Sequence, residues 1–393
     1  MKQVAVLNQF ALPRSEGGGT RHADLFGRLT GWQFIVIAGN RNHYTQATFG
    51  TADTRFRLIP VPRSSRGAIS RAVGWLAYSM VALMRVVTLR RLDAVYGSSP
   101  HLLAPLAGLV AARLRRVPFI LEVRDLWPES IVAVGAMRDG SATHRVLSAI
   151  ERCLVKSADH IVAVTGGWEE HFASLGIDPT TTVSVITNGA ETSDFAVSAS
   201  RESLRDEYDI TGFTGVFAGA HGPKDGIDLI LDAAKELPEV NFLLVGDGPS
   251  KAMAVAHAGR EGLCNVRFME PVPKAELPRL LGACDVGIHA VTPLDVFLKG
   301  MSPNKLFDYL AAGLPIVSNA REALRGITID GECGRLGGEH ELASCLRDVV
   351  AAKHGKRDEW GANAISLMDL RYSRSSASLQ LERVLDDAVR VAP

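Results

Sequence analysis

Residues 295–319 read DVFLKGMSPNKLFDYLAAGLPIVSN. Ser302 is a good N-cap and Pro303 suits the first helical position, so a helix is expected to begin there with Asn304 and Lys305 in its first turn. The opening N–H groups of a helix have no partner within it and point outward at the positive end of the helix dipole. Lys305 adds a full charge at the same place, which makes an anion site. Asp308 lies one turn on along the same side, where its carboxylate can accept from vicinal hydroxyls of a sugar or ribose. Gly313 and Pro315 end the helix, and a short apolar strand follows, which is one repeat of an α/β fold.

The same alternation extends to both sides. Upstream strands are expected at Gly215 to Ala218, Asn241 to Val245, Asn265 to Phe268 and Asp285 to His289, with Pro315 to Ser318 closing the series. An earlier series comprises Gln3 to Leu7, Phe34 to Ala38, Ala94 to Tyr96, Pro118 to Val123, His160 to Val164 and Val183 to Ile186. Their nearly continuous apolar runs suit parallel strands covered by helices on both faces. The polar stretch Asn188 to Ser203 between the series reads as a hinge. Two Rossmann-like doubly wound domains follow, residues 1–195 and 196–372. The last segment places Leu381, Val384, Leu385, Ala388 and Val389 on one helical face, so residues 373–393 are expected to cross back to the first domain.

At 393 residues with 47% hydrophobic side chains the chain can fill two cores, which excludes disorder and simple repeats. The 43 basic and 43 acidic residues cancel, but the first 120 residues carry 16 basic and only four acidic ones. Arg55, Arg57, Arg63, Arg66, Arg71, Arg85, Arg90 and Arg91 stand in a run free of carboxylates, a field that attracts phosphates or anionic lipid. Within it the apolar segment Ala72 to Met84 is too short to cross a bilayer; it reads as a buried helix or as one that dips into a membrane interface. No nucleic-acid motif interleaves these arginines, so no nucleic-acid partner is expected. The odd count of five cysteines without CxxC spacing argues for reduced thiols in a cytoplasmic protein, and for no metal.

In parallel sheets ligands bind beyond the carboxyl ends of the strands. After the first strand, Gly17, Gly18 and Gly19 lead to Arg21 and His22, a combination suited to a phosphate or, equally, to a plain surface turn. The stretch EVRDLWPES offers Asp125 as a carboxylate that could take a proton from an attacking hydroxyl, with Arg124 beside it. The alternative there is that Arg124 pairs internally and Trp127 fills the core. In the second half Gly219, His221, Gly222 and Lys224 form a loop suited to a pyrophosphate, although the spacing is not that of the dinucleotide fingerprint. Gly246, Asp247 and Gly248 end the next strand, as a second contact or simple punctuation.

SPNKLFDYLAAGLPIVSN, with the upstream VGDGP, the GIDLILDAA stretch and the turn at Asn188 and Gly189, resembles the retaining nucleotide-sugar glycosyltransferases of family 4, which have the GT-B fold. DLWPES is similar to the bacterial branch that builds O-antigen, capsule and exopolysaccharide chains. The resemblance implies two domains facing a cleft, with the donor held mainly by the second and the acceptor by the first. It places the diphosphate at the helix of Ser302, Pro303, Asn304 and Lys305, the ribose at Asp308 and the nucleobase near Phe268 to Val272. It implies no metal and no cofactor, the sugar nucleotide being a substrate. Two departures stand out. Gly300 replaces the first of two glutamates eight residues apart, and Ala220 and Asp225 stand where the family has Arg and Lys, so neutralisation rests on Lys305 with Lys224 or Lys299 assisting.

The implied reaction is transfer, with retained anomeric configuration, of a sugar from a nucleotide donor, UDP by family frequency. Lys305 would stabilise the charge on the leaving diphosphate. The basic, apolar front half favours a polyprenyl-diphosphate-linked saccharide acceptor and a peripheral position at the cytoplasmic membrane face. The alternatives are a sugar-nucleotide 2-epimerase or hydrolase of the same architecture, and a non-catalytic nucleotide-sugar-binding subunit.

Overall fold

The computed structural model describes all residues except 17–19, 43–45, 64–66, 325–326, 328–331 and 392–393. Seven strands form the first sheet: β1 (Lys2–Leu7), β2 (Trp32–Gly39), β3 (Phe56–Ile59), β4 (Ala94–Ser98), β5 (Phe119–Val123), β6 (His160–Ala163) and β7 (Thr182–Val185). They lie in the order β3-β2-β1-β4-β5-β6-β7, and every pairing is parallel. Six strands form the second: β8 (Thr214–Ala218), β9 (Asn241–Val245), β10 (Val266–Met269), β11 (Val286–His289), β12 (Ile316–Ser318) and β13 (Gly334–Leu336). Their order is β10-β9-β8-β11-β12-β13, again parallel throughout. Both sheets reverse direction of winding beside their first strand, as the expected doubly wound α/β architecture requires. β3 and β13, with four and three residues, were not legible as strands.

Contacts divide the chain into a first unit, Met1–Thr187 with Arg374–Pro393, and a second, Asn188–Ser373. The stretch read as a hinge lies within the second unit: Phe195 is buried in its core, and Ser200 caps the helix Arg201–Glu207 by accepting from the Ser203 N–H. The helix Arg374–Val391 belongs to the first unit. Ala377, Leu381, Val384, Leu385 and Ala388 join the core formed by β1, β2 and β4. Polar ties fix its register: Asp386 accepts from Lys2 at 2.9 Å and from the Trp32 indole at 3.1 Å, and Ser378 donates to the Leu25 carbonyl at 2.9 Å.

The segment Ala72 to Met84 lies in a longer helix, Ala68–Val87, and its reading as a buried helix holds for one face only. Tyr78, Ala82 and Val86 are buried, the Tyr78 hydroxyl donating to the Ile37 carbonyl. Val73, Leu76, Met80 and Met84, spaced three or four apart and therefore on one face, are more than half exposed. Among the described residues no helix is long and apolar enough to cross a membrane. Arg66 of the basic run lies outside the described residues.

Leu381→Ala is expected to cost the first unit about 2–5 kcal/mol through the cavity it opens. Four of the five tryptophans, Trp32, Trp75, Trp127 and Trp168, are in that unit, so urea unfolding followed by fluorescence reports on it. A midpoint equal to that of the unaltered chain would count against the helix as part of this core.

Candidate functional site

In the second unit the winding reverses between β8 and β11, and the helix Asn304–Ala311 is pinned across that point. The buried Tyr309 hydroxyl accepts from the Ala218 N–H at 2.8 Å and donates to the Ile288 carbonyl at 3.3 Å, so the ends of both strands hold the helix. The helix starts one residue later than expected. Pro303 occupies the cap with φ −74° and ψ 134°, and Ser302 does not cap it. The Ser302 hydroxyl is taken by the Asn188 N–H at 2.8 Å, and its carbonyl by the Asn188 amide at 2.6 Å.

Lys305 comes off the first turn with its ammonium 3.7 Å from the centre of the Phe217 ring and 2.9 Å from Asp225 Oδ1. Burial pulls its pKa down, against the opposite pull of Asp225, and Lys224 nearby lowers it further. Asp225 is thus the partner of Lys305, a pairing that its position in the sequence does not disclose. Space for the Lys305 stem comes from Gly219, where a Cβ would stand 2.7 Å from Lys305 Cε. Asp308, one turn on, is also buried and paired, with Lys274. Lys274 was missed because no motif surrounds it; it reaches Asp308 from the segment after β10, above the Phe195 ring.

The loops after β8 and β9 are zipped together. Gly219 N–H donates to the Val245 carbonyl and His221 N–H to the Asp247 carbonyl, both at 2.9 Å. Gly246 has φ +146°, and a Cβ there would fall 1.8 Å from the Gly219 carbonyl oxygen, so this crossing admits only glycine. Gly248 N–H is turned onto its neighbour Asp247, and Gly222 N–H onto Asp225. The His221 ring is buried between Phe217 and Phe268, and among the described residues neither ring nitrogen has a hydrogen-bond partner. Burial, with Lys251 and Lys305 adding to it, lowers its pKa, which keeps the ring neutral. Lys224 is exposed near the Phe297 ring, Lys299 is exposed at the end of the helix Asp295–Leu298, and Val272 is half-buried beyond β10. Lys305, Asp225 and the two glycine loops therefore come together, while Lys299 and Val272 are placed by other segments.

In the first unit the expectation for Arg21 and His22 is corrected. Glu122, fully buried at the end of β5, takes Arg21 Nε and His22 Nε2 at 2.9 Å each and a hydrogen bond from the Ser98 hydroxyl. Arg21 also donates to the carbonyls of Ile186 and Thr187. Burial alone would raise the Glu122 carboxyl, but Arg21 and His22 outweigh it and hold it well below the carboxylate range. Burial keeps His22 low despite Glu122. These two side chains tie β4, β5 and the helix Arg21–Phe26 together and are not turned to solvent for a phosphate. Gly17, Gly18 and Gly19 lie outside the described residues. Asp125 is half-buried just beyond β5, and the Arg124 N–H donates to the Ser99 hydroxyl at 2.8 Å. Trp127 is half-buried and meets Trp75 edge to face, with Trp75 stacked on His101.

Both units match known domains. Residues 22–189 match the "Glycosyl transferase 4-like domain" and residues 212–351 the "Glycosyl transferases group 1" model. A relative named as a probable glycosyltransferase, WbjE of Pseudomonas aeruginosa, is 26% identical over 267 residues, covering 65% of each chain. WcaI of Escherichia coli K12, named as a colanic acid biosynthesis glycosyl transferase, is 24% identical over 231 residues, covering 56% of each. The matched region thus spans less than two thirds of these relatives' length. Anabaena HepE, solved in complex with UDP and glucose, superposes with a TM-score of 0.75 at 18% identity, covering 98% of this chain and all of that one. The fold is that of the GT-B glycosyltransferases. Each unit is thus similar to a glycosyl transferase domain, the first to the 4-like model and the second to the group 1 model.

Proposed function

We propose that the chain is a retaining glycosyltransferase that moves a sugar from a UDP-sugar to a polyprenyl-diphosphate-linked saccharide in the synthesis of a bacterial surface polysaccharide. One observation carries the reading. A buried ammonium, Lys305, stands in the first turn of a helix pinned across the point where the second sheet reverses, with the Asp308 carboxylate one turn further along. Breaking the anomeric bond leaves negative charge on the diphosphate, and fixed donors in a low-dielectric seat stabilise that charge most. In this reading Lys305 releases part of its contact with Asp225 to take a phosphate oxygen, and Asp308, paired with Lys274, accepts from the ribose hydroxyls. Gly219, Gly222 and Gly246 let the backbone approach the phosphates, with Lys224 and Lys299 at the rim. Asp125 and Arg124 serve the acceptor. The UDP in HepE and the colanic acid biosynthesis named for WcaI favour this donor and this product class.

The acceptor's lipid motivates the second half of the reading, a peripheral position at the cytoplasmic face of the membrane. The exposed row Val73, Leu76, Met80 and Met84 belongs to a helix packed against the helix Leu103–Arg115, which itself exposes Val110 and Leu114. Arg71, Arg90, Arg91, Arg113 and Arg116 are exposed around the two helices. An apolar row framed by cations suits an anionic lipid surface, each arginine near it contributing about 1 kcal/mol.

Release of UDP from candidate UDP-sugars is expected to require a lipid-linked saccharide. Turnover without acceptor would instead indicate an epimerase or hydrolase, and binding without turnover a non-catalytic subunit. Calorimetry with UDP is expected to show Lys305→Ala weakening binding about 10- to 100-fold, as loss of a hydrogen bond to a charged group would. Lys224→Ala should change it far less; equal small losses would sink the assignment. Vesicles containing anionic lipid are expected to sediment the protein at low salt, and the double change Leu76→Glu with Met80→Glu should abolish this without altering UDP binding.

A further inference from the structure

Three elements of the first unit bring Glu129, Glu151 and His171 together: the short helix Glu129–Ala133, the helix Ala142–Ser157 and the helix Glu169–Ser174. One ligand atom from each lies within 4.8 Å of the other two, and among the described residues no other trio of such groups is so close. His171 Nε2 stands 2.8 Å from Glu151 Oε1. Glu151 is only 5% exposed, yet its second carboxylate oxygen is buried without a hydrogen-bond partner among the described residues. One oxygen of Glu129 is buried in the same unpartnered state. Buried carboxylate oxygens left without a donor are rare and costly, and two of them beside each other repel as well. Burial pushes the Glu151 carboxyl up and Glu129 adds to this, against the pull of His171 and Arg152.

We propose that Glu129, Glu151 and His171 form a site for a divalent cation of the zinc class. Two carboxylates match the charge of such an ion, and each has an oxygen to offer. An imidazole nitrogen with carboxylate oxygens suits zinc better than magnesium or calcium, which take six or more oxygens. Bonds of about 2.0–2.2 Å in a tetrahedron set ligand atoms about 3.4 Å apart; the three groups, already within 4.8 Å of one another, reach that spacing by small side-chain rotations, and water completes the fourth position. The spacing of 22 and then 20 residues carries no motif, which is why the sequence does not show the site. Glu129 follows directly on the segment that carries Arg124, Asp125 and Trp127. The ion would fasten that segment to two helices, a structural role separate from the donor site of the second unit.

The test uses the full chain, stripped with a chelator and titrated calorimetrically with Zn²⁺, Mn²⁺ and Mg²⁺ in turn. One Zn²⁺ per chain is expected, bound more tightly than Mn²⁺ and with no measurable heat from Mg²⁺, together with a raised Tm in excess Zn²⁺. Glu151→Gln and His171→Asn should each weaken Zn²⁺ binding by about tenfold or more. Glu129→Gln, at a less buried position, decides the matter if Glu151→Gln fails to fold by circular dichroism. Absence of saturable binding overturns the proposal. So does binding of unchanged affinity in the variants, which would place the ion on exposed histidines such as His340 and His354.

Discussion

The second unit is organised around one buried ammonium. Lys305 can stay charged at the junction of β8 and β11 because Asp225 neutralises it and the Phe217 ring lies beneath it. An unpaired charge there would be heavily penalised, whereas a pair taken from water breaks even only with good geometry. That requirement reaches outward. Gly219 must lack a side chain to admit the lysine stem, Tyr309 must hold the helix against both strand ends, and Asp225 must stand on a loop braced by Gly246 and His221. The pair balances its charge without a ligand, so an incoming anion competes with a carboxylate already in place.

Much of this was legible in sequence because it rests on local rules. Continuous apolar runs between helical segments gave eleven of the thirteen strands, and Gly313 and Pro315 marked the end of the helix that carries Lys305. What was not legible depends on contacts distant in sequence. Lys274 and Asp308 are 34 residues apart, Asp225 and Lys305 are 80 apart, and Arg21 and Glu122 are 101 apart. Arg21 and His22 looked available for a phosphate because their sequence neighbours are glycines, but a carboxylate from β5 claims them. Ser302 looked like a cap because its own helix needs one, yet Asn188 binds it first. In each case a local preference lost to a partner that only the fold supplies.

The helix Ala68–Val87 shows the same limit in its hydrophobic pattern. Composition made it look apolar all round, and the fold divides it into a face packed mainly against the helix Leu103–Arg115 and an exposed face. Trp75 lies at the border between them, half-buried, with its ring on His101 and its edge near Trp127. Burial pushes His101 down to about 3, so this aromatic cluster carries no charge at neutral pH. The surface helix and the segment with Asp125 therefore share one uncharged aromatic joint inside the first unit.

The docking of Arg374–Val391 on the first unit has a consequence for how the chain is made. At about 5–20 residues per second, the ribosome takes roughly 10–40 s to synthesise the 186 residues of Asn188–Ser373. For that interval the nascent first unit has all its strands but lacks the side chains of Leu381, Val384 and Leu385 that close its core. An uncovered apolar strip of this kind is where chaperones act and where aggregation begins. The second unit, by contrast, leaves the ribosome as one uninterrupted segment and can fold before its neighbour is finished.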